Sequence, residues 1–92
     1  MYKNLDPMLH APLRLAIISH LMTNTQISFK ELKKHTEATS GNLSIQLKKL
    51  EEIQYVRIQK SFLNNYPHTQ ISLTDKGIQA FETYVKTLKT YL

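Results

Sequence analysis

What most constrains this chain is a change of hydrophobic rhythm part-way along it. As far as "EEIQ", apolar residues recur three and four apart. In "YVRIQK", Val56 and Ile58 instead alternate with Arg57 and Gln59, and in "TQISL", Ile71 and Leu73 lie two apart. From Thr74 the helical spacing returns, with Ile78, Phe81, Val85, Leu88 and Leu92 spaced 3, 4, 3 and 4. A period near 3.6 marks a helix with one buried face, and a period of 2 marks a half-buried strand. The chain therefore sets helices on either side of a strand pair. At 92 residues it forms one domain (1–92) around a modest core, too small for a two-lobed enzyme.

Local signals divide the helical part. The prolines of "LDPMLHAP" predict an extended lead-in and a helix from Pro12, a residue suited to a first turn, running over 12–22. Leu13, Ala16, Ile17 and Leu21 form one apolar face of that helix, and Leu15, Ile18 and Met22 form a second on the opposite side. A helix in so small a domain rarely buries both faces. The second face is either a set of singly exposed apolar residues or a contact with a second chain, and we expect the latter. "TQIS" reads as an extended bridge. Ser28 then caps a helix over 28–36, with Glu31 completing a capping box, Phe29 and Leu32 inward and Lys30, Lys33 and Lys34 outward. After the tight connection "TEAT", Thr39 caps a longer helix over 39–53. Two short helices joined by about four residues make a helix-turn-helix pattern.

The two alternating segments form a hairpin over 55–73, with "SFLNNYPH" expected as an eight-residue loop at its tip. Thr74 caps a last helix over 74–92, whose apolar seam resembles a coiled-coil stripe. Helix, bridge, helix, helix, strand, loop, strand and helix make a winged helix, a mainly α fold with a small β-hairpin (α+β) and a C-terminal helix for dimerisation.

The stretch "TSGNLSIQLKKLEE" carries the functional signal. Leu43, Leu47 and Leu50 define its buried face, which leaves Gly41, Ile45 and Lys48 opposite, Asn42 and Lys49 on one flank and Ser44 on the other. A glycine and an asparagine in the first turn, and an isoleucine beside two lysines, are poor choices for a merely solvated face. On a DNA-reading helix each has a use. Gly41 admits close approach to a phosphate or base edge. Asn42 offers paired donor and acceptor to adenine, Ile45 meets a thymine methyl, and Ser44 or Gln46 bonds to base edges or phosphate. Lys48 and Lys49 supply salt-sensitive attraction, and the helix N-terminus adds amide donors. Charge agrees: of 12 Lys+Arg against seven Asp+Glu, residues 30–60 hold seven cations (Lys30, Lys33, Lys34, Lys48, Lys49, Arg57, Lys60) and four acids.

Together "LDPMLHAPLRLAIISHL", "TSGNLSIQLKKLEEIQYV", "YPHTQISLT" and "GIQAFETYVKTL" resemble the small winged-helix regulators of the MarR/ArsR-like group. More narrowly, they are similar to stand-alone winged-helix DNA-binding domain proteins. The resemblance spans nearly the whole chain and implies a symmetric dimer with two recognition helices in successive major grooves and wings over the flanking minor grooves. It implies DNA contacts for Thr39, Ser40, Gly41, Asn42 and Ser44. Gln46 stands where relatives often have histidine. The wing departs further, with Asn64, Asn65 and Tyr66 where relatives tend to carry glycine and basic residues, so arginine insertion into the minor groove is not expected.

The full expected DNA surface is Lys30, Thr39, Ser40, Gly41, Asn42, Ser44, Ile45, Gln46, Lys48, Lys49, Lys60, His68 and Thr69. The expected dimer contact is Leu15, Ile18, Met22, Phe81, Tyr84, Val85, Leu88, Tyr91 and Leu92. No cofactor, metal or enzymatic activity is expected. His10, His20, His35 and His68 lie in different elements; His10 and His20 can approach along the first helix region, where packing or capping is the expected use. There is no glycine-rich phosphate loop, and no nucleophile set can be assembled. With no cysteine, no apolar run near the ~18–20 residues of a membrane span and no signal-peptide pattern, a cytoplasmic protein is the simplest reading. The chain thus reads as a dimeric, sequence-specific binder of double-stranded DNA that regulates transcription. The alternative is a winged-helix interaction module that never reads DNA, which outward Ile45 and the weakly basic wing also suit.

Overall fold

A computed structural model describes residues 4–92. Its elements run α1 (Pro12–Thr23), β1 (Gln26–Ser28), α2 (Phe29–Thr36), α3 (Ser40–Glu52), β2 (Val56–Leu63), β3 (Tyr66–Leu73) and α4 (Asp75–Lys89). The strands form one antiparallel sheet in the order β1-β3-β2.

Each helix after α1 begins at a hydroxyl cap. Ser28 accepts from Glu31 N, Thr39 from Asn42 N and Thr74 from Gly77 N, each bond satisfying one of the amides a helix start leaves unpaired. At Ser28 the box closes side chain to side chain, its hydroxyl donating to Glu31 Oε1 at 3.3 Å. α2 ends at Glu37, which is left-handed at φ 58°, and this reverses the chain into α3 within three residues.

The core is one cluster. Ile17, Ile18 and Leu21 of α1, Leu32 of α2 and Leu43, Leu47 and Leu50 of α3 meet Ile27, Val56 and Ile71 of the sheet, with Leu9 and Tyr84 closing the ends. Each such side chain contributes roughly 1.5–3 kcal/mol on burial. Two residues expected at a dimer contact belong here instead. Ile18 is 0% exposed and Tyr84 4% exposed within the single chain. α1 is covered on both sides, by α3 and α4 and by the sheet, so its second apolar face is largely internal. Leu15 is half-buried against the core and Met22 is half-buried.

Three other expectations change. The "TQIS" bridge is a true strand, Ile27 pairing with Ile71, because only by joining β3 do its backbone groups find partners. The eight-residue tip loop is instead a continuation of both strands to Leu63 and Tyr66. The turn is Asn64-Asn65 alone, with φ 52° and 66°, the doubly left-handed geometry that matches strand twist in a two-residue hairpin. The lead-in is not extended. Asp6 O accepts from Leu9 N and His10 N, and Asp6 Oδ1 accepts from Met8 N, which turns the chain and drops Leu9 into the core. The molecule is elongated, with extents of 54 × 25 × 22 Å.

Candidate nucleic-acid interface

With Leu43, Leu47 and Leu50 buried, α3 turns its remaining surface outward. Ser40, Gly41, Asn42, Ser44, Lys48 and Lys49 are exposed, as is the Thr39 cap, and Ile45 keeps 55% of its surface in water. Gly41 is held by neither backbone nor packing. Its φ is not positive, and a Cβ placed there would meet nothing within 4 Å. Such a residue costs helix stability without structural return.

Directly opposed residues of an antiparallel pair share a face. Ile58 pairs with Ile71, Lys60 with Thr69 and Phe62 with Pro67, so this side of the wing continues the core-facing side of the sheet. Lys60 and Thr69 therefore face the flank of α3. With Ser44, Lys48, Phe29 and Glu51 they line an open cleft of about 710 Å³ between wing and helix. Four expected DNA-binding residues, two on α3 and two on the wing, are thus gathered around one groove. Lys30 is exposed on α2. His68 pairs with Ser61 on the other face of the wing and points away from this cleft. The wing's far end is apolar, with Phe62, Leu63 and Tyr66 at 76%, 58% and 74% exposure.

Gln46 does not stand free. Arg14 Nη1 donates to Gln46 Oε1 at 2.7 Å, and Gln46 Nε2 donates to Asn42 Oδ1 at 3.1 Å. The same guanidinium donates through Nε to Met8 O at 2.7 Å, which ties the lead-in turn, α1 and α3 together. The turn is anchored in its own right, since the Tyr55 hydroxyl donates to Asp6 Oδ2 at 2.5 Å. Burial, reinforced by the neighbouring Asp6 carboxylate, pushes the Tyr55 phenol up to about 12.

His10 and His20 take separate partners. His10 Nδ1 lies 3.0 Å from the Tyr84 hydroxyl, while His20 stacks on His35 of α2 with ring centroids 3.6 Å apart. Among the described residues, no three His, Cys, Asp or Glu side chains converge as metal ligands would.

Residues 13–92 match the winged helix DNA-binding domain family. The chain belongs to that family. This is a family of DNA-binding domains rather than of enzymes, which bears out the fold and the resemblance to small winged-helix regulators. The protein MJ0432 of Methanocaldococcus jannaschii is 38% identical over 72 residues, 78% of each chain. Among solved structures, a transcriptional regulator homologue from Pyrococcus horikoshii OT3 superposes with a TM-score of 0.86 at 27% identity, covering 91% of this chain and 83% of that one. Bacillus subtilis PadR, in complex with operator DNA, superposes at 0.72 with 18% identity over 82% of this chain and 47% of PadR, a likeness of fold.

Within this winged-helix domain, sequence reasoning missed Arg14, which the helical pattern of α1 marks only as a polar flank. Its partner lies 32 residues away. It also missed the exposed apolar wing tip, hidden by reading "SFLNNYPH" as a loop. The Asn64-Asn65 pair was the available signal, since two adjacent residues that tolerate positive φ suit a two-residue turn between continuous strands.

Proposed function

We propose that this winged-helix protein is a dimeric, sequence-specific binder of double-stranded DNA that regulates transcription in the cytoplasm. The observation that carries the proposal is the outward surface of α3, where Gly41, Asn42, Ser44, Ile45, Lys48 and Lys49 are exposed and open space surrounds Gly41. α3 enters the major groove, its first turn (Thr39, Ser40, Gly41, Asn42) toward base edges and phosphate and its Ser44 and Ile45 toward bases. Lys30, Lys48, Lys49 and Lys60 supply phosphate contacts, and Thr69 with the polar edge of the wing follows the flanking backbone. His68, on the far face of the wing, contributes only at its periphery. The PadR complex with operator DNA supports this use of the fold. No helix among the described residues is long and apolar enough to cross a membrane.

The dimer contact is assigned to the half-buried α4 residues Phe81, Val85 and Leu88, to Tyr91 and Leu92 beyond them, and to Leu15 and Met22 of α1. Two copies joined there set two recognition helices about 34 Å apart, one turn of duplex.

The test is duplex binding by fluorescence anisotropy over a salt series, wild type against Asn42→Ala combined with Lys48→Ala. The double variant is expected to lose affinity at least tenfold, and its salt slope to shrink by about 0.9 for each phosphate contact removed per site. Unchanged affinity and slope would remove α3 from the interface. Exposed Ile45, Phe62 and Tyr66 favour a second reading, a protein-interaction module. Absence of any duplex binding at about 50 mM salt, where phosphate attraction is strong, selects it.

A further inference from the structure

We propose that Arg14 is a positioning residue that sets which end of the Asn42 amide faces the DNA, so that α3 reads an acceptor-bearing base edge, guanine in preference to adenine. This rests on the major-groove reading of α3 given above.

Hydrogen-bond polarity fixes the orientation. An amide side chain has an oxygen end that accepts and a nitrogen end that donates, and free on a helix surface it turns either way. Here one end of the chain of bonds has no choice, because a guanidinium only donates. The group facing Arg14 Nη1 at 2.7 Å is therefore Gln46 Oε1. That turns Gln46 Nε2 toward Asn42, and the atom it meets at 3.1 Å is Asn42 Oδ1. Asn42 is then left with Nδ2 as the end that leads away from Gln46, and among the described residues Nδ2 has no protein partner. The polarity originates in the half-buried Arg14 and is relayed through one glutamine to the first turn of the recognition helix. Arg14 is itself fixed by its Nε bond to Met8 O, in the turn built on Asp6.

A free asparagine meets adenine with both ends, its oxygen on N6–H and its nitrogen on N7. With Oδ1 already engaged by Gln46, the donor end leads. Guanine offers two neighbouring acceptors, N7 and O6, whereas adenine sets the donor N6–H2 beside its single acceptor. The adenine contact expected from sequence alone is therefore replaced by a preference for guanine. Arg14 itself touches no DNA in this scheme.

The test is selection of bound sequences from a randomised duplex pool, followed by binding to single-base variants of the selected site. Asn42→Ala locates the base pair that Asn42 reads, since preference is lost there alone. At that pair the wild type is expected to favour guanine over adenine by about tenfold. Arg14→Met should bring this ratio close to one while leaving affinity for random duplex and the salt slope unchanged. A purely packing role would instead weaken all sequences alike and keep the base order.

Gln46→Glu is the second variant. The new carboxylate still accepts from Arg14 but has no N–H to donate, so Asn42 must turn its nitrogen toward that carboxylate and its oxygen outward. The preference should then move to a donor edge, adenine or cytosine, even if Arg14→Met proves too unstable to assay. If the wild type binds duplex with guanine favoured yet Gln46→Glu, and Arg14→Met where folded, keep that order, the relay is overturned and the DNA reading stands. A wild type favouring adenine at that pair also overturns the relay. A wild type that binds no duplex overturns both.

Discussion

Replacing Gly41 by alanine should move stability and DNA binding in opposite directions. Gly41 is the second residue of α3, its φ is not positive, and an added Cβ finds nothing within 4 Å. In a helix interior glycine costs about 1 kcal/mol relative to alanine, largely through the backbone freedom it loses on folding. In a first turn about half of that is a fair expectation, so Gly41→Ala should stabilise the fold by roughly 0.5 kcal/mol. For a domain of this size that corresponds to a rise in Tm of about 2–4 °C. On the DNA side the same methyl occupies the point of closest backbone approach, so affinity for the selected site should fall by about tenfold or more, the order of one good base contact. Thermal melts followed by circular dichroism and anisotropy titrations on one preparation give both numbers. If Gly41→Ala binds as tightly as wild type, the α3 N-terminus does not approach the duplex and its glycine has no functional account. If it melts lower than wild type, the free space around Gly41 is misjudged.

The other glycine predicts the reverse. A Cβ at Gly77 would lie 2.2 Å from Tyr55 O, the carbonyl that also accepts from Thr74 N and Oγ1, so α4 must shift by about 1 Å. Overpacking against backbone outweighs the propensity gain, and Gly77→Ala should lose about 2 kcal/mol, read as a Tm lower by roughly 8–16 °C. Tyr55→Phe tests the anchored turn through pH. The folded phenol is raised to about 12 from an ordinary 10, so its contribution is complete below pH 10 and is lost as pH climbs toward 12, where the unfolded chain deprotonates first. Urea melts between pH 9 and 12 should show a fall in wild type that the variant lacks; identical profiles would deny the Tyr55–Asp6 bond that role. Val85→Glu adds a charge to a half-buried α4 position outside the main cluster, and it should convert dimer to monomer in sedimentation at micromolar concentration while leaving the monomer folded. A dimer of unchanged strength would place the contact elsewhere.

Much of this domain was legible because its signals are local. Ser28, Thr39 and Thr74 act on amides three residues ahead, so the starts of α2, α3 and α4 follow from hydroxyl placement alone. Leu43, Leu47 and Leu50 define a buried stripe by spacing, and whatever is not on that stripe is outward by geometry. The exposed set on α3 was therefore readable before any packing was known. The change of period after Gln54 likewise placed the two hairpin strands.

Tertiary structure decided what depends on partners distant in sequence. Spacing marked two apolar faces on α1, yet only the approach of the sheet and the other helices settled that Ile18 is core. The register of α4 did the same for Tyr84. Strand pairing turned "TQIS" from a bridge into β1, and the Asn64-Asn65 turn extended both wing strands through a segment whose turn-forming residues had suggested a loop. Above all, the orientation of the Asn42 amide is not a property of α3. It is handed across 32 residues from Arg14, because a guanidinium can donate but not accept, and no pattern within the helix records that constraint.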